Sequence, residues 1–127
     1  MNESINLRSN ADVPIANFLS GGIDSTVITK NLYDQGLDVN TFSVILDNEK
    51  YNEEEWSSTV AQKYKTNHHT VKVSSGINID NINDALNSLD EPYSDPSVVP
   101  SYILSNEISK YFKVAISGDG GDELLGG

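Results

Sequence analysis

The chain has 127 residues, 37% hydrophobic and 21% charged, a composition that fits one globular domain with a single core. A formal charge of −11 argues against nucleic acid as a partner, because binding a phosphate backbone relies on clustered Lys and Arg. With no cysteine, the chain has no disulfide, no thiolate metal site and no thiol nucleophile.

The opening Met1-Asn2-Glu3-Ser4 is polar and acidic, unlike a secretory signal, and no stretch approaches the length of a membrane span. A cytoplasmic protein with no membrane partner is expected. Residues 3–8 predict a short helix with Ile5 and Leu7 partly covered, ended by Asp12-Val13-Pro14. Residues 14–19 are an apolar run that reads as a short buried strand. The run breaks at Ser20-Gly21-Gly22 and resumes as a helix beginning with Asp24, Ser25 and Thr26. That helix places Val27, Ile28, Leu32 and Tyr33 on one face and stops at Gly36.

Residues 39–46 form an almost wholly apolar second strand, suited to a parallel sheet covered on both faces. Asn52 is the expected cap of the next helix, with Glu55 in the capping-box position and Trp56, Val60, Ala61 and Tyr64 at helical spacing. The charge of Glu53-Glu54-Glu55 suits a helix start better than a metal site. Residues 68–73 alternate, which predicts a third, less buried strand; His68 and His69 point to its opposite faces and do not chelate one ion together. Ile79, Ile82, Ala85, Leu86 and Leu89 predict an amphipathic helix, which Pro92 and Pro96 terminate. A further helix over about residues 98–111 and a strand over 113–116 complete the pattern. Strands alternating with helices predict an α/β fold: a Rossmann-like open parallel sheet with helices on both faces and right-handed crossovers.

The turn after the first strand carries the chemistry. A strand feeding a glycine turn that opens a helix leaves several N–H groups without intrahelical partners, beside the positive end of the helix dipole. Such a place suits a phosphate. Gly21 and Gly22 let the backbone approach an anion, and Ser20 and Ser25 add hydroxyl donors. Asp24 does not suit bare phosphate and reads as a carboxylate shared with Mg²⁺. The turn has neither the lysine of a Walker loop nor the spacing of a dinucleotide fingerprint. In open parallel sheets ligands gather outside the carboxyl ends of the strands. A second glycine-rich turn, Ser117-Gly118-Asp119-Gly120-Gly121-Asp122-Glu123, reaches that edge after the last strand. Asp24 and Asp122 are therefore expected to meet across the crevice and hold one Mg²⁺ against a triphosphate.

Ser20-Gly21-Gly22-Ile23-Asp24-Ser25 resembles the pyrophosphate loop of N-type ATP pyrophosphatases, whose fold is adenine nucleotide alpha hydrolase-like. Glu91-Pro92-Tyr93-Ser94-Asp95-Pro96-Ser97 and Ser117-Gly118-Asp119-Gly120-Gly121-Asp122-Glu123-Leu124-Leu125-Gly126-Gly127 resemble two further signatures of one branch. That branch is the synthetase domain of glutamine-hydrolysing asparagine synthetases, with β-lactam synthetases and sugar amidotransferases as relatives. The resemblance runs from Leu7 to Gly127. It implies that an aspartate side-chain carboxylate attacks the α-phosphorus of ATP, pyrophosphate leaves, and glutamine-derived ammonia displaces AMP to give asparagine.

The same resemblance implies roles for single residues. Asp24 and Asp122 would hold Mg²⁺, and Ser20, Gly21, Gly22 and Ser25 would hold pyrophosphate. Phe18, Leu19 and Val44 would lie along the nucleotide, Val44 meeting adenine through its backbone. Ser117 and Gly118 would line the ribose and α-phosphate side. Asp119, where relatives have Glu or Asp near the acceptor or the ammonia, is the candidate catalytic residue. Implied partners are ATP, aspartate or another carboxylate acceptor, and a glutaminase domain of the parent chain. There are two main departures. No cysteine is present to serve as a glutaminase nucleophile, and the sequence stops at Gly127, before the lysine that relatives carry downstream. In a smaller one, Ile45 stands where many relatives have glycine after the adenine-side valine. Residues 1–127 are thus expected to be the N-terminal, nucleotide-binding part of an asparagine synthase domain, inactive alone. Surface left bare at its end predicts association, a homodimer among the forms it allows. A sugar or other carboxylate amidotransferase of the same family, and a non-catalytic adenine-nucleotide-binding module, stand as alternatives.

Overall fold

Hydrogen bonding in a computed structural model, which describes residues 2–46, 53–73, 79–91 and 95–121, joins four strands into one parallel sheet. These are β1 (Ile15–Phe18), β2 (Asn40–Leu46), β3 (Asn67–Val73) and β4 (Val114–Ile116), in the order β3-β2-β1-β4. The first crossovers build outward from β1 to β3, and the last returns to place β4 on the other side of β1. The reversal between β1 and β4 opens a crevice at the carboxyl edge, where open α/β sheets bind ligands.

The pleat sends alternate side chains to opposite faces. On one face Ile15, Ile116 and Val39 pack with Ile5 of α1 (Asn2–Ser9) and with Ile28 and Leu32 of α2 (Ile23–Asp34). On the other, Ala16, Phe18, Phe42, Val44 and Val71 pack with Leu104 and Ile108 of α5 (Val98–Ser109) and with Phe112. Phe112 meets Phe42 edge-on at 5.6 Å, and His69 stacks on Phe42 at 4.7 Å. Burying each large apolar side chain in this way contributes roughly 1.5–3 kcal/mol. The expected parallel sheet with helices on both faces is the one observed, and the edge strand β3 carries the exposed Asn67, His69, Thr70 and Lys72. No described helix is long and apolar enough to cross a membrane.

Helix α2 stops where expected. Gly36 adopts φ 74°, its N–H donates to the Tyr33 carbonyl at 2.9 Å, and the Leu37 N–H donates to Leu32 at 3.3 Å. A left-handed residue beyond the cap closes the last turn, and glycine adopts it without a Cβ penalty.

Elsewhere the buried residues are smaller than the periodicity predicts. In α1, Ile5 and Ser9 share the inner side while Leu7, half a turn away, is 73% exposed. In α3 (Glu54–Lys63) the inner stripe is Ser57 and Ala61, and Trp56 is 66% exposed. The N-cap position of α3 is taken by Glu53, with no side-chain cap hydrogen bond, instead of by Asn52, which lies outside the described residues. In α4 (Ile79–Asn87), Ala85 is the buried residue, and Ile79, Ile82 and Leu86 are exposed. Pro92 also lies outside the described residues.

Small residues face inward on α3 because its first turn comes very close to the turn after β1. A Cβ built on Gly21 would lie 2.6 Å from the Trp56 Cβ and 2.7 Å from the Ser57 N, and Gly21 itself has φ 89°. Gly21→Ala therefore suffers both backbone strain and a clash with helix backbone. It should destabilise the chain by about 1–3 kcal/mol, read from urea unfolding. An unchanged midpoint would show that α3 does not press on this glycine.

His68 supplies a second test. Its Nδ1 lies 2.9 Å from Thr41 Oγ1, which in turn lies 2.7 Å from Thr66 Oγ1, and its Nε2 is buried without a partner. Burial, with His69 adding to it, lowers the His68 pKa from 6.5, against weaker opposing pulls from Glu54 and the Thr41 backbone. The fold thus favours neutral His68. This contribution is fully present above the unfolded value and is lost as pH falls through the depressed folded value. Urea midpoints should fall between about pH 7.5 and about pH 5.5, by less in His68→Gln than in wild type. Equal falls in the two proteins would exclude His68 as a source.

Candidate functional site

The carboxyl end of β1 enters the loop through Leu19, which is almost fully buried and whose N–H donates to the Phe42 carbonyl at 2.8 Å, continuing the sheet. The Ser43 hydroxyl donates to the Leu19 carbonyl. Gly22 is the N-cap of α2 (φ −66°, ψ 170°) and makes no side-chain cap hydrogen bond. The first N–H groups of α2 therefore have no carbonyl partner in the helix. The loop closes on itself: the Gly22 N–H donates to Ser20 Oγ at 3.2 Å, Ser20 Oγ lies 3.1 Å from Ser25 Oγ, and the Ser25 hydroxyl donates to the Gly22 carbonyl at 3.2 Å.

The second loop leaves β4 beside it, because β4 pairs with β1 from Ile15↔Val114 to Asn17↔Ile116. Here the Ser117 hydroxyl donates to Asp119 Oδ2 at 2.9 Å and the Gly121 N–H to the Gly118 carbonyl at 3.1 Å. The two loops touch at Asp24. A Cβ on Gly118 would come within 3.1 Å of the Asp24 Cβ, and one on Gly121 within 2.5 Å of the Asp24 Cγ. The Asp24 carboxylate occupies a niche that exists because both glycines lack side chains.

Between the loops lies a cleft of about 500 Å³. Of the residues singled out from the sequence, Phe18, Leu19, Ser20, Gly22, Asp24, Ser25, Val44, Ser117, Gly118 and Asp119 line it. Gly21 does not line it, since it faces α3, and Asp122 lies outside the described residues. The sequence reading missed Ile23, Phe42, Ser43, Glu53, Ser97, Ser101 and Leu104, which also line the cleft. Ser43 carried a signal, as a hydroxyl inside an otherwise apolar strand. Glu53 was readable only as helix-start charge, and nothing marked Ser101 or Leu104. A second hollow of about 630 Å³ shares Ser97, Ser101, Gly118 and Asp119 with the first and extends to Ser88, Asp95, Tyr102 and Ser105.

One wall of the cleft is apolar, formed by Phe18, Phe42, Val44 and Leu104; the other presents hydroxyls and helix N–H groups. Such a cleft suits a ligand with a flat apolar part and an anionic part. Its charged lining residues are Asp24, Glu53 and Asp119, with no Lys or Arg among the described ones. A polyanion fits beside three carboxylates only with a cation between them, so the donor set is compatible with an oxygen-seeking divalent metal. No group of three or more metal-ligating side chains gathers among the described residues.

Among known proteins, residues 1–127 match the asparagine synthase family. The chain is 31% identical over 125 residues to asparagine synthetase 1 (glutamine-hydrolysing) of Bacillus subtilis (strain 168), covering 98% of this chain and 20% of that protein. It is 31% identical over 134 residues to asparagine synthetase 3 (glutamine-hydrolysing) of the same organism, covering 92% of this chain and 22% of that protein. The chain thus spans about a fifth of the length of these relatives. Among solved structures, the NH3-dependent NAD synthetase of Campylobacter jejuni superposes with TM-score 0.60 at 17% identity, over 98% of this chain and 56% of that one. The NMN synthetase of Francisella tularensis gives TM-score 0.62 at 17% identity, over 96% and 54%. At such identities these two show a shared fold alone. The full-length family match and the sequence identity to the two synthetases carry the assignment: this chain belongs to the asparagine synthase family.

Proposed function

We propose that residues 1–127 are the N-terminal, nucleotide-binding part of the synthetase domain of a longer ligase, and that the cleft binds Mg-ATP for adenylation of an aspartate side chain. The observation that carries this reading is the seat of Asp24, its Cβ against Gly118 and its carboxylate against Gly121, where two glycine loops converge. A first-turn carboxylate is common on helices, but one held where a second glycine loop meets free N–H groups suits a metal-bound phosphate chain.

In this reading the nucleoside lies along Phe18, Leu19 and Val44, and the ribose and α-phosphate face Ser117 and Gly118. The β- and γ-phosphates meet the first N–H groups of α2 and the hydroxyls of Ser20 and Ser25. Asp24, with Asp122 as its sequence-assigned partner, would hold Mg²⁺, which when bound neutralises charge on the departing pyrophosphate. A carboxylate oxygen of aspartate attacks the α-phosphorus, and the bond to the β-phosphate oxygen breaks. The leaving pyrophosphate would be received by the first N–H groups of α2, which have no intrahelical partner, while the Ser20 and Ser25 hydroxyls would turn from the loop's own hydrogen bonds toward it. Ammonia, supplied by a glutaminase domain of the parent chain, then attacks the acyl carbon and AMP leaves. Asp119 borders both hollows, which supports the reading in which it holds the acceptor or takes a proton from the incoming ammonia, with the second hollow beside Asp95 as the acceptor's space.

The test uses the full-length polypeptide that carries this sequence. It should exchange labelled pyrophosphate into ATP only when aspartate is present. Exchange supported by a sugar acid or another carboxylate instead would keep the cleft's role and move the acceptor; nucleotide binding without any exchange would leave a binding module. Asp24→Asn should weaken Mg-ATP binding roughly ten- to hundredfold in isothermal titration, the range of a lost charge-assisted contact, with the thermal midpoint unchanged. Unaltered affinity would remove Asp24 from the metal site.

A further inference from the structure

Asn17 is out of character in β1. It has no exposed surface, and it lies on the face covered by α1 and α2, with Ile116 and Thr41 as its strand neighbours. A leucine has the same branched outline and no polar group to satisfy. The Asn17 amide Nδ2 donates to Thr29 Oγ1 of α2 at 2.8 Å, and the Thr29 hydroxyl, also without exposed surface, donates to the Ser25 carbonyl at 2.8 Å. A hydroxyl has a single proton. Since Thr29 spends its proton on Ser25, it receives from Asn17, so the amide nitrogen faces it. The Asn17 amide oxygen is left buried without a partner. That is a cost which filling the core does not explain.

The other end of Ser25 is tied as well, in the ring of hydrogen bonds through Ser20 and Gly22 already described. A directional chain therefore runs from the centre of the sheet to the wall of the cleft. We propose that Asn17 and Thr29 are positioning residues of the phosphate cradle: they fix the Ser25 carbonyl, and with it the first turn of α2, at the angle that aims the Ser25 hydroxyl and the adjoining N–H groups into the cleft. This inference rests on the nucleotide reading above and adds to it two residues outside the cleft.

The test measures Mg-ATP affinity by titration and the thermal midpoint on the full-length polypeptide. Thr29→Val keeps the side chain's shape and removes its hydroxyl, and should weaken binding about three- to tenfold, the value of one lost hydrogen bond. Thr29→Ser restores the hydroxyl and should recover most of that affinity. The double variant Asn17→Leu with Thr29→Val leaves an apolar core with no orphaned partner. It should unfold at or above the wild-type midpoint, yet bind Mg-ATP as weakly as Thr29→Val, with the loss in KM for ATP larger than that in kcat. A double variant that binds as tightly as wild type overturns the proposal. So does one that fails to fold, since the pair would then serve the core, and so does an equal loss in Thr29→Ser and Thr29→Val. Wild-type protein that binds no Mg-ATP would sink the nucleotide reading first, and this inference with it.

Discussion

The close approach of Asp24 to the second loop, its Cβ to Gly118 and its carboxylate to Gly121, is the constraint that the site depends on. It joins loops that are remote in sequence, so no local preference could create it; the sheet must first place β4 beside β1. Parallel strands need long crossovers, and the entropy of closing them is recovered only when both faces of the sheet are covered. α1 and α2 cover one face and α5 the other. The apolar core is thus the instrument that brings two loops to one edge. The glycines then set how closely they meet, because a single methyl at 121 would displace the carboxylate.

Electrostatics narrows what that edge can hold. The cleft is lined by Asp24, Glu53 and Asp119, in a chain with a formal charge of −11. The two ion pairs among the described residues, Lys30 with Asp34 and Lys110 with Glu107, sit exposed on α2 and at the end of α5 and bring no cation to the cleft. The α2 dipole favours an anion at Asp24 by about 0.3–1 kcal/mol, which does not offset two further carboxylates. A bare polyphosphate would meet repulsion there, whereas one carrying a divalent cation reverses the sign of the interaction. In the proposed nucleotide reading, the lining charges thus favour a polyphosphate that carries a divalent cation over a bare one.

Much of this was legible in the sequence, and the rest was not, for reasons that differ by residue. The strand, glycine turn and helix around Ser20-Gly21-Gly22 read directly, because propensity and turn chemistry agree there. Gly21 did not. The approach of α3 to its Cα side leaves no trace in the sequence, because a glycine that lets backbone pass and one that lets an anion approach look alike there. Trp56 and Leu7 misled because periodicity favours large apolar residues. Close backbone packing instead buries small ones, Ser57 and Ala61, and the geometry of α1 turns Leu7 outward. Ile79, Ile82 and Leu86 show the complementary limit, since an amphipathic pattern states that a face can be covered without stating by what. The pairing of Asp24 with Asp122 stays a sequence-level proposal, as Asp122 falls outside the described residues.

The two faces of the sheet are not equivalent, and the difference bears on how the site keeps its shape. The α5 face is made of Ala16, Phe42, Leu104 and Ile108, whose packing is non-directional. The opposite face buries Asn17, Thr41 and Ser43 on the strands and Ser25, Thr29 and Ser57 on α2 and α3, beneath the first glycine loop. Apolar residues there would give an equally dense core at less desolvation cost. Hydrogen bonds supply what dispersion does not, a preferred angle. Ser43 fixes the Leu19 carbonyl where the strand ends, and Thr29 fixes the Ser25 carbonyl where the helix begins. The flanks of the loop are thereby held from below, leaving the N–H groups between them aimed by the scaffold instead of by the ligand. A site built this way gives up some stability to be ready before its ligand arrives, the arrangement expected where a leaving group must be received in a fixed geometry.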